Sequence, residues 1–369
     1  MSKLSDFFNT KSEPIQEIES GFYTGHDLMH GETPYRLHLR VEPNLRGVLT
    51  LNASTILHLN KTAMEMAYFL IQGQKPAEIA KTISNRYKAP KDEIKRDVDT
   101  FYDTLMSFTT EEDIPPSSIL GTLSDPEETE IIAPYRLDCY FGDEAKGERL
   151  TVAEWKVVFE RAFNAGIPHV MLLDSNHLPN EDFLDLLSHL EDLGLVSGLV
   201  TKPDYLMDSA FLHELLVRGL DHLVLDGDPS NFEHHRLLIN ILDQDLFTCL
   251  RMPFDPRYNY EPVMDDLFSH GINAFAFTGV VDPLDDSLLE LEELISSQGI
   301  PIVDDMPFSH KDHRSTSALA YESASKLKYL ATRADGELFI PYEDPVDIGN
   351  LLNESWEELW AKCRQFSNG

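Results

Sequence analysis

From residue 131 onward the chain alternates between short apolar runs and amphipathic helical patterns. No other feature constrains the fold as strongly. Residues 135–141, 169–173, 195–200, 222–225, 246–250, 274–277 and 300–303 read as strands. Helical spacing fills the gaps at 151–165, 181–193, 209–218, 231–242, 261–270 and 287–296, and glycine stops most of these helices (Gly166, Gly194, Gly219, Gly271, Gly299). Strands that are apolar throughout are buried on both faces, as in a parallel sheet covered by helices. One strand and one helix recur every 25–30 residues. That period fits an open or partial TIM-type (β/α) barrel better than a small doubly wound sheet. The fold class expected is α/β.

In such a fold the chemistry sits at the C-terminal ends of the strands. Those ends carry Asp143 and Glu144; Asp174, Asn176 and His177; Lys202, Asp204 and Tyr205; Asp226 and Asp228; Arg251; Thr278; and Asp304 and Asp305. Carboxylates with a histidine among them can hold a divalent cation or move protons. On an enzyme reading His177 is the base and Asp226, Asp228 or Asp304 the metal ligands, with Asp174 beside them. The structural alternative is ordinary: β-to-α turns use Asp, Asn and Ser for capping in any fold. Asp226-Gly227-Asp228-Pro229 is such a turn sequence. His26/His30 and His310/His313 have metal-like spacing without an adjoining third ligand, and are read as surface loops. His234-His235 is read as part of a solvated helix face.

The N-terminal part reads differently. Leu37, Leu39 and Val41 alternate with Arg36, His38 and Arg40, as in a half-buried strand. Residues 47–51 and 55–59 form two further strands. Thr62 is placed to cap a helix, with Glu65 completing a capping box. A second helix starts at Pro76, and a third runs through Ile94, Val98, Phe101 and Leu105. The result is an α+β unit of three strands followed by three helices.

Charge separates the two parts. The chain of 369 residues has a net charge of −34. Residues 1–110 hold 13 basic and 14 acidic side chains; the remainder holds 17 and 50. Residues 111–130 carry seven acids, no base, and Pro115-Pro116, the composition of a linker. So acidic a chain repels phosphates, which excludes a nonspecific nucleic-acid binder. Three cysteines are too few for a disulfide framework, and no apolar run approaches the roughly 18 residues that span a bilayer. These features, with no signal-peptide core at Met1 to Asp6, lead us to expect a cytoplasmic protein with no membrane partner. No phosphate-binding Gly-rich loop or nucleophile elbow occurs.

Residues 34–106, and above all the Leu57-His58-Leu59-Asn60-Lys61-Thr62 turn with the three helices after it, resemble the PqqD-like family. Its members are small winged-helix domains that recognise precursor peptides in peptide-modifying pathways. The resemblance implies that a leader peptide adds a strand to the sheet edge. Carried over, the groove lies between the strand at 55–59 or 47–51 and the third helix. Its residues would be Leu49, Leu51, Thr55, Leu57, Arg96 and Tyr102.

Ala133-Pro134-Tyr135-Arg136-Leu137-Asp138-Cys139-Tyr140-Phe141 looks like the first strand of radical S-adenosylmethionine proteins. Residues 334–366 resemble the SPASM/twitch segment that follows their barrel, most specifically from Gly349-Asn350 to Trp360. The organisation implied is a winged-helix domain at 20–110, an acidic linker at 111–130, a partial barrel at 131–310 and a degenerate hairpin–helix extension at 311–369.

Departures from that family are equally informative. Its members hold a [4Fe–4S] cluster on three cysteines in the loop after strand one. The loop 142–149 has no cysteine; Cys139, Cys249 and Cys363 are scattered. The family's Gly-Gly-Glu-Pro turn is replaced by Ser175-Asn176-His177-Leu178, and Tyr342 follows Pro341 where a cysteine is usual. No cofactor and no metal site are therefore expected. The preferred reading is a pseudoenzyme that binds a peptide or protein partner in a peptide-modification (RiPP-type) pathway, with a basic partner among those its charge allows. The alternatives are an enzyme with the repurposed carboxylate/His site, and an interaction protein whose acidic barrel binds a basic partner.

Overall fold

The structure is a computed structural model and describes residues 18–30, 33–43, 45–51, 55–107, 132–142, 147–228, 231–244, 246–278, 286–303, 327, 329–341 and 345–367. Contacts divide the chain into two compact units. The first contains β1 (Gly21–His30), β2 (Thr33–Val41), β3 (Gly47–Leu51), β4 (Thr55–Leu59), α1 (Lys61–Ile71), α2 (Pro76–Tyr87) and α3 (Lys91–Ser107). Its sheet is antiparallel in the order β1-β2-β3-β4. Leu37, Leu39, Val41, Leu49, Leu51, Leu57 and Leu59 pack in one core with Met64, Ile79, Ile83, Val98, Phe101 and Leu105.

Three features correct the sequence reading. The strand β1 has no apolar alternation to announce it, yet it pairs with β2 from Gly21↔Val41 to His30↔Thr33. His26 and His30, read as loop residues, lie in this strand. The supposedly wet face of β2 is also buried: His38 stacks on Phe22 at 5.6 Å, and the Arg40 Nε donates to Glu42 Oε1 at 2.7 Å. Helix α1 is capped two residues early by Asn60, whose side chain accepts from the Ala63 N–H. Glu65 is buried instead, accepting from the Tyr87 hydroxyl at 2.6 Å and pairing with Arg86 at 3.1 Å. A carboxylate reserved for capping on sequence grounds thus ties α1 to α2.

The second unit contains β5 (Arg136–Tyr140), α4 (Val152–Ala165), β6 (His169–Leu173), α5 (Asn180–Leu193), β7 (Val196–Thr201), α6 (Ser209–Val217), β8 (His222–Asp226), α7 (Phe232–Leu242), β9 (Phe247–Pro253), α8 (Glu261–Ser269), β10 (Ala274–Thr278), α9 (Asp286–Ser297), β11 (Tyr329–Thr332), β12 (Glu337–Ile340), β13 (Val346–Asn350) and α10 (Trp356–Ser367). Six parallel strands stand in chain order from β5 to β10, and β11-β12-β13 continue the sheet beyond β5. The unit is therefore mixed α/β with a nine-stranded, mostly parallel sheet. Gly166 and Gly194 adopt left-handed φ values of 86° and 76°, which glycine reaches without strain, and so stop α4 and α5.

One sheet face packs Phe141 against Trp155 at 4.7 Å and Phe183 at 6.2 Å. The other gathers Met171, Leu173, Val200, Val224, Cys249, Ala274 and Ala276 into a separate core. Two expectations change here. The strand expected at 300–303 is only a single parallel bridge between Ile302 and Phe275. The C-terminal hairpin is not a separate appendage: β11 bonds in parallel to the free edge of β5, Tyr329↔Arg136 to Thr332↔Cys139. Closure of the sheet through β5 is thereby blocked.

Candidate functional site

In the first unit, β3 bonds to β2 on one side and to β4 on the other, so it offers no edge. Strand addition there, allowed on sequence grounds, would require a ladder to break. Among the described residues β4 pairs with β3 alone. Leu49, Leu51 and Leu57 are at most 3% exposed and belong to the core. They pack β3 and β4 onto the helices of this unit. The side chain of Thr55 lies outside the described residues. Arg96 is exposed on α3, its Nε donating to the Asp92 carbonyl at 3.4 Å, and Tyr102 is half-buried against the core. An edge strand beside a helix presents unpaired backbone donors and acceptors, the chemistry that binds an extended peptide of any sequence.

In the second unit, the register Asp226↔Arg251 puts two side chains of adjacent strands on one face. The Arg251 Nε contacts Asp226 Oδ1, and its Nη2 donates to Oδ2 at 2.7 Å. Burial opposes the charge on Arg251, but the Asp226 carboxylate outweighs it, and the guanidinium pKa is raised. Asp226 is thus committed to an ion pair. Asp174 is half-buried and left-handed (φ 56°), at the start of a short 3-10 turn, Ser175–His177. A Cβ on Gly142 would lie 2.7 Å from its Oδ2, so glycine gives this carboxylate room. Tyr140 lies nearby; burial, then the Asp138 charge, raises its hydroxyl pKa far above the usual range. His177 and Asp228 are exposed. Asp143, Glu144, Asp304, Asp305, His310 and His313 lie outside the described residues. Among those described, no three His, Cys, Asp or Glu side chains are grouped to hold a metal ion. His234 and His235 are half-buried rather than solvated, and His235 Nε2 meets Asp266 at 2.7 Å.

The cluster implied by the family resemblance does not fit these residues. Cys139 is on β5 and Cys249 on β9, with three strands between them. Cys249 faces the Met171 core, whereas the parallel register puts Cys139 beside Leu172, whose neighbours Met171 and Leu173 join that core. Cys363 sits in α10. All three thiols are buried. Burial raises the Cys139 thiol well above its ordinary value and pushes Cys363 up to about 12.

Several organising residues escaped sequence reasoning. Arg136 donates to Asp138 at 2.7 Å and stacks over the Tyr329 ring at 4.4 Å, joining β5 to β11. His169 and His222 meet Nε2 to Nε2 at 3.2 Å inside the sheet. A pairing of strands far apart in sequence leaves no local trace. The Gly349-Asn350 motif, by contrast, has a structural explanation. A Cβ on Gly349 would stand 2.1 Å from Glu354 Oε1, which accepts from the Asn350 N–H at 3.0 Å. Arg161 Nη1 donates to the Leu351 and Glu354 carbonyls and latches this turn onto α4.

Comparison with known proteins accords with this geometry. Residues 43–107 match the family described as coenzyme PQQ synthesis protein D (PqqD). The fold of the chain is similar to that of SuiB from Streptococcus suis. The structure of SuiB bound to the precursor peptide SuiA superposes with a TM-score of 0.53 at 12% identity, covering 87% of this chain and 86% of that one. The structure bound to S-adenosylmethionine gives 0.52 at 12% identity, over 92% and 88%. A comparison with curated proteins finds no match. No helix among the described residues is long and apolar enough to cross a membrane.

Proposed function

We propose that this protein binds a peptide by strand addition at the β4 edge and serves a peptide-modification pathway as a non-catalytic relative of radical S-adenosylmethionine proteins. The carrying observation is that the PqqD match, residues 43–107, coincides with a sheet in which β4 pairs with β3 alone among the described residues. The fold shared with SuiB, whose crystal structure holds the precursor peptide SuiA, supports the same reading. The first unit is read as winged-helix-like and the second as a partial barrel that β11 keeps open. The boundaries at 20–110, 111–130, 131–310 and 311–369 belong to the same proposal. Neither an iron–sulfur cluster nor S-adenosylmethionine is assigned a role, because the thiols are buried and separated.

The test is a selection of binders from a random 20-residue peptide library against the full chain. Strand addition uses every second backbone amide of the peptide. Selected peptides should lose at least tenfold in affinity when alternate residues of one register are N-methylated, and little in the other register. Indifference to N-methylation in both registers overturns the proposal.

A further inference from the structure

Residues 254–294 contain ten acidic side chains and one base, Arg257. Within this segment the turn after β9 and the helix α9 border an open cleft of about 190 Å³. Sites for drug-sized ligands run roughly 300–1,000 Å³, so this cleft has the size of one side chain. Phe254, Tyr258 and Tyr260 line it together with Asp255, Glu261 and Glu290. The Phe254 and Tyr260 rings lie within 15° of parallel with centroids 6.0 Å apart, and Tyr258 meets Tyr260 edge-on at 4.8 Å. The wall is built before any ligand arrives: the Tyr260 hydroxyl accepts from the Asp255 N–H at 2.8 Å and donates to the Pro253 carbonyl at 3.3 Å.

The carboxylates divide into two kinds. Asp255 is engaged by Arg257, whose Nε and Nη2 donate at 2.9 and 2.8 Å, and these hydrogen bonds hold its carboxyl down at about 2. Glu261 and Glu290 are exposed and form no ion pair among the described residues. Aromatic faces attract cations through their quadrupole, and adjacent carboxylates add a Coulombic pull on the same sign.

We propose that this cleft takes the cationic side chain, lysine or arginine, of the peptide partner. The inference rests on the peptide-binding reading above and names a chemistry for that partner. Binding of acetyl-Gly-Lys-Gly-amide to the full chain is compared with its arginine and norleucine analogues by calorimetry. At least one cationic peptide should bind five-fold or more tightly than norleucine. Tyr258→Ala and Glu290→Gln should each lower that affinity at least three-fold. Arg257→Ala, which frees Asp255, should raise it at least two-fold. Glu290 and Arg257 are exposed, so those variants report on the cleft even if Tyr258→Ala fails to fold. Equal binding of norleucine, or affinities unmoved by Glu290→Gln and Arg257→Ala, overturns the inference. The N-methylation series reads the other unit. Failure here with that series intact removes the cation site alone; failure there with lysine binding intact removes strand addition at β4.

Discussion

Burial, and secondarily Arg136, lowers His222 to about 3, and burial lowers His169 well below its ordinary value. Both imidazoles are neutral when folded, while an unfolded histidine titrates near 6.5. The unfolded chain therefore binds more protons between those values. The stability these two histidines contribute is full above pH 6.5 and falls as the pH drops toward 3. One such proton changes stability by about 1.4 kcal/mol per pH unit within that window. His222→Gln should flatten the dependence of the melting temperature on pH between 6.5 and 4.5. A slope equal to the wild type's would refute the assignment. Glu65 offers a second test. Its removal strands Arg86, whose side chain is only 12% exposed, so Glu65→Ala should cost roughly 2–4 kcal/mol in urea unfolding. A loss below half a kcal/mol would show that the pair is merely a surface contact.

Elements were legible where periodicity was local. Each helix from α2 to α9 lies within a residue or two of its sequence-based position wherever its start was expected, because glycine stops and apolar stripes are written in consecutive residues. The strand β1 was not legible: its stability comes from β2, not from its own pattern. Nor was the insertion of β11 beside β5, a pairing between residues 136 and 329. Site residues divide in the same way. Leu49, Leu51 and Leu57 were recognised as belonging to the correct strands, but their type alone could not separate core from groove. The Gly349 turn makes an element-scale prediction. Gly349→Ala forces the Glu354 carboxylate out of its cap and frees the hairpin end from α4. Limited proteolysis should then cut between β13 and α10 several-fold faster, with the first unit unaffected. Unchanged cutting would show that the latch is dispensable.

At the scale of the whole molecule, a nearly neutral first unit is joined to a strongly acidic α/β unit. Three buried, separated thiols predict that anaerobic reconstitution with iron and sulfide gives no stoichiometric cluster. About four irons per chain with visible charge-transfer absorbance would contradict this. Addition of a peptide to the sheet at β4 is read by hydrogen exchange on the full chain. With a selected peptide bound, the amides of Thr55–Leu59 that point away from β3 should exchange at least tenfold more slowly, while β1 at the opposite edge is unchanged. Protection confined to β1 or to the second unit, with β4 exchanging as in the free protein, would contradict it.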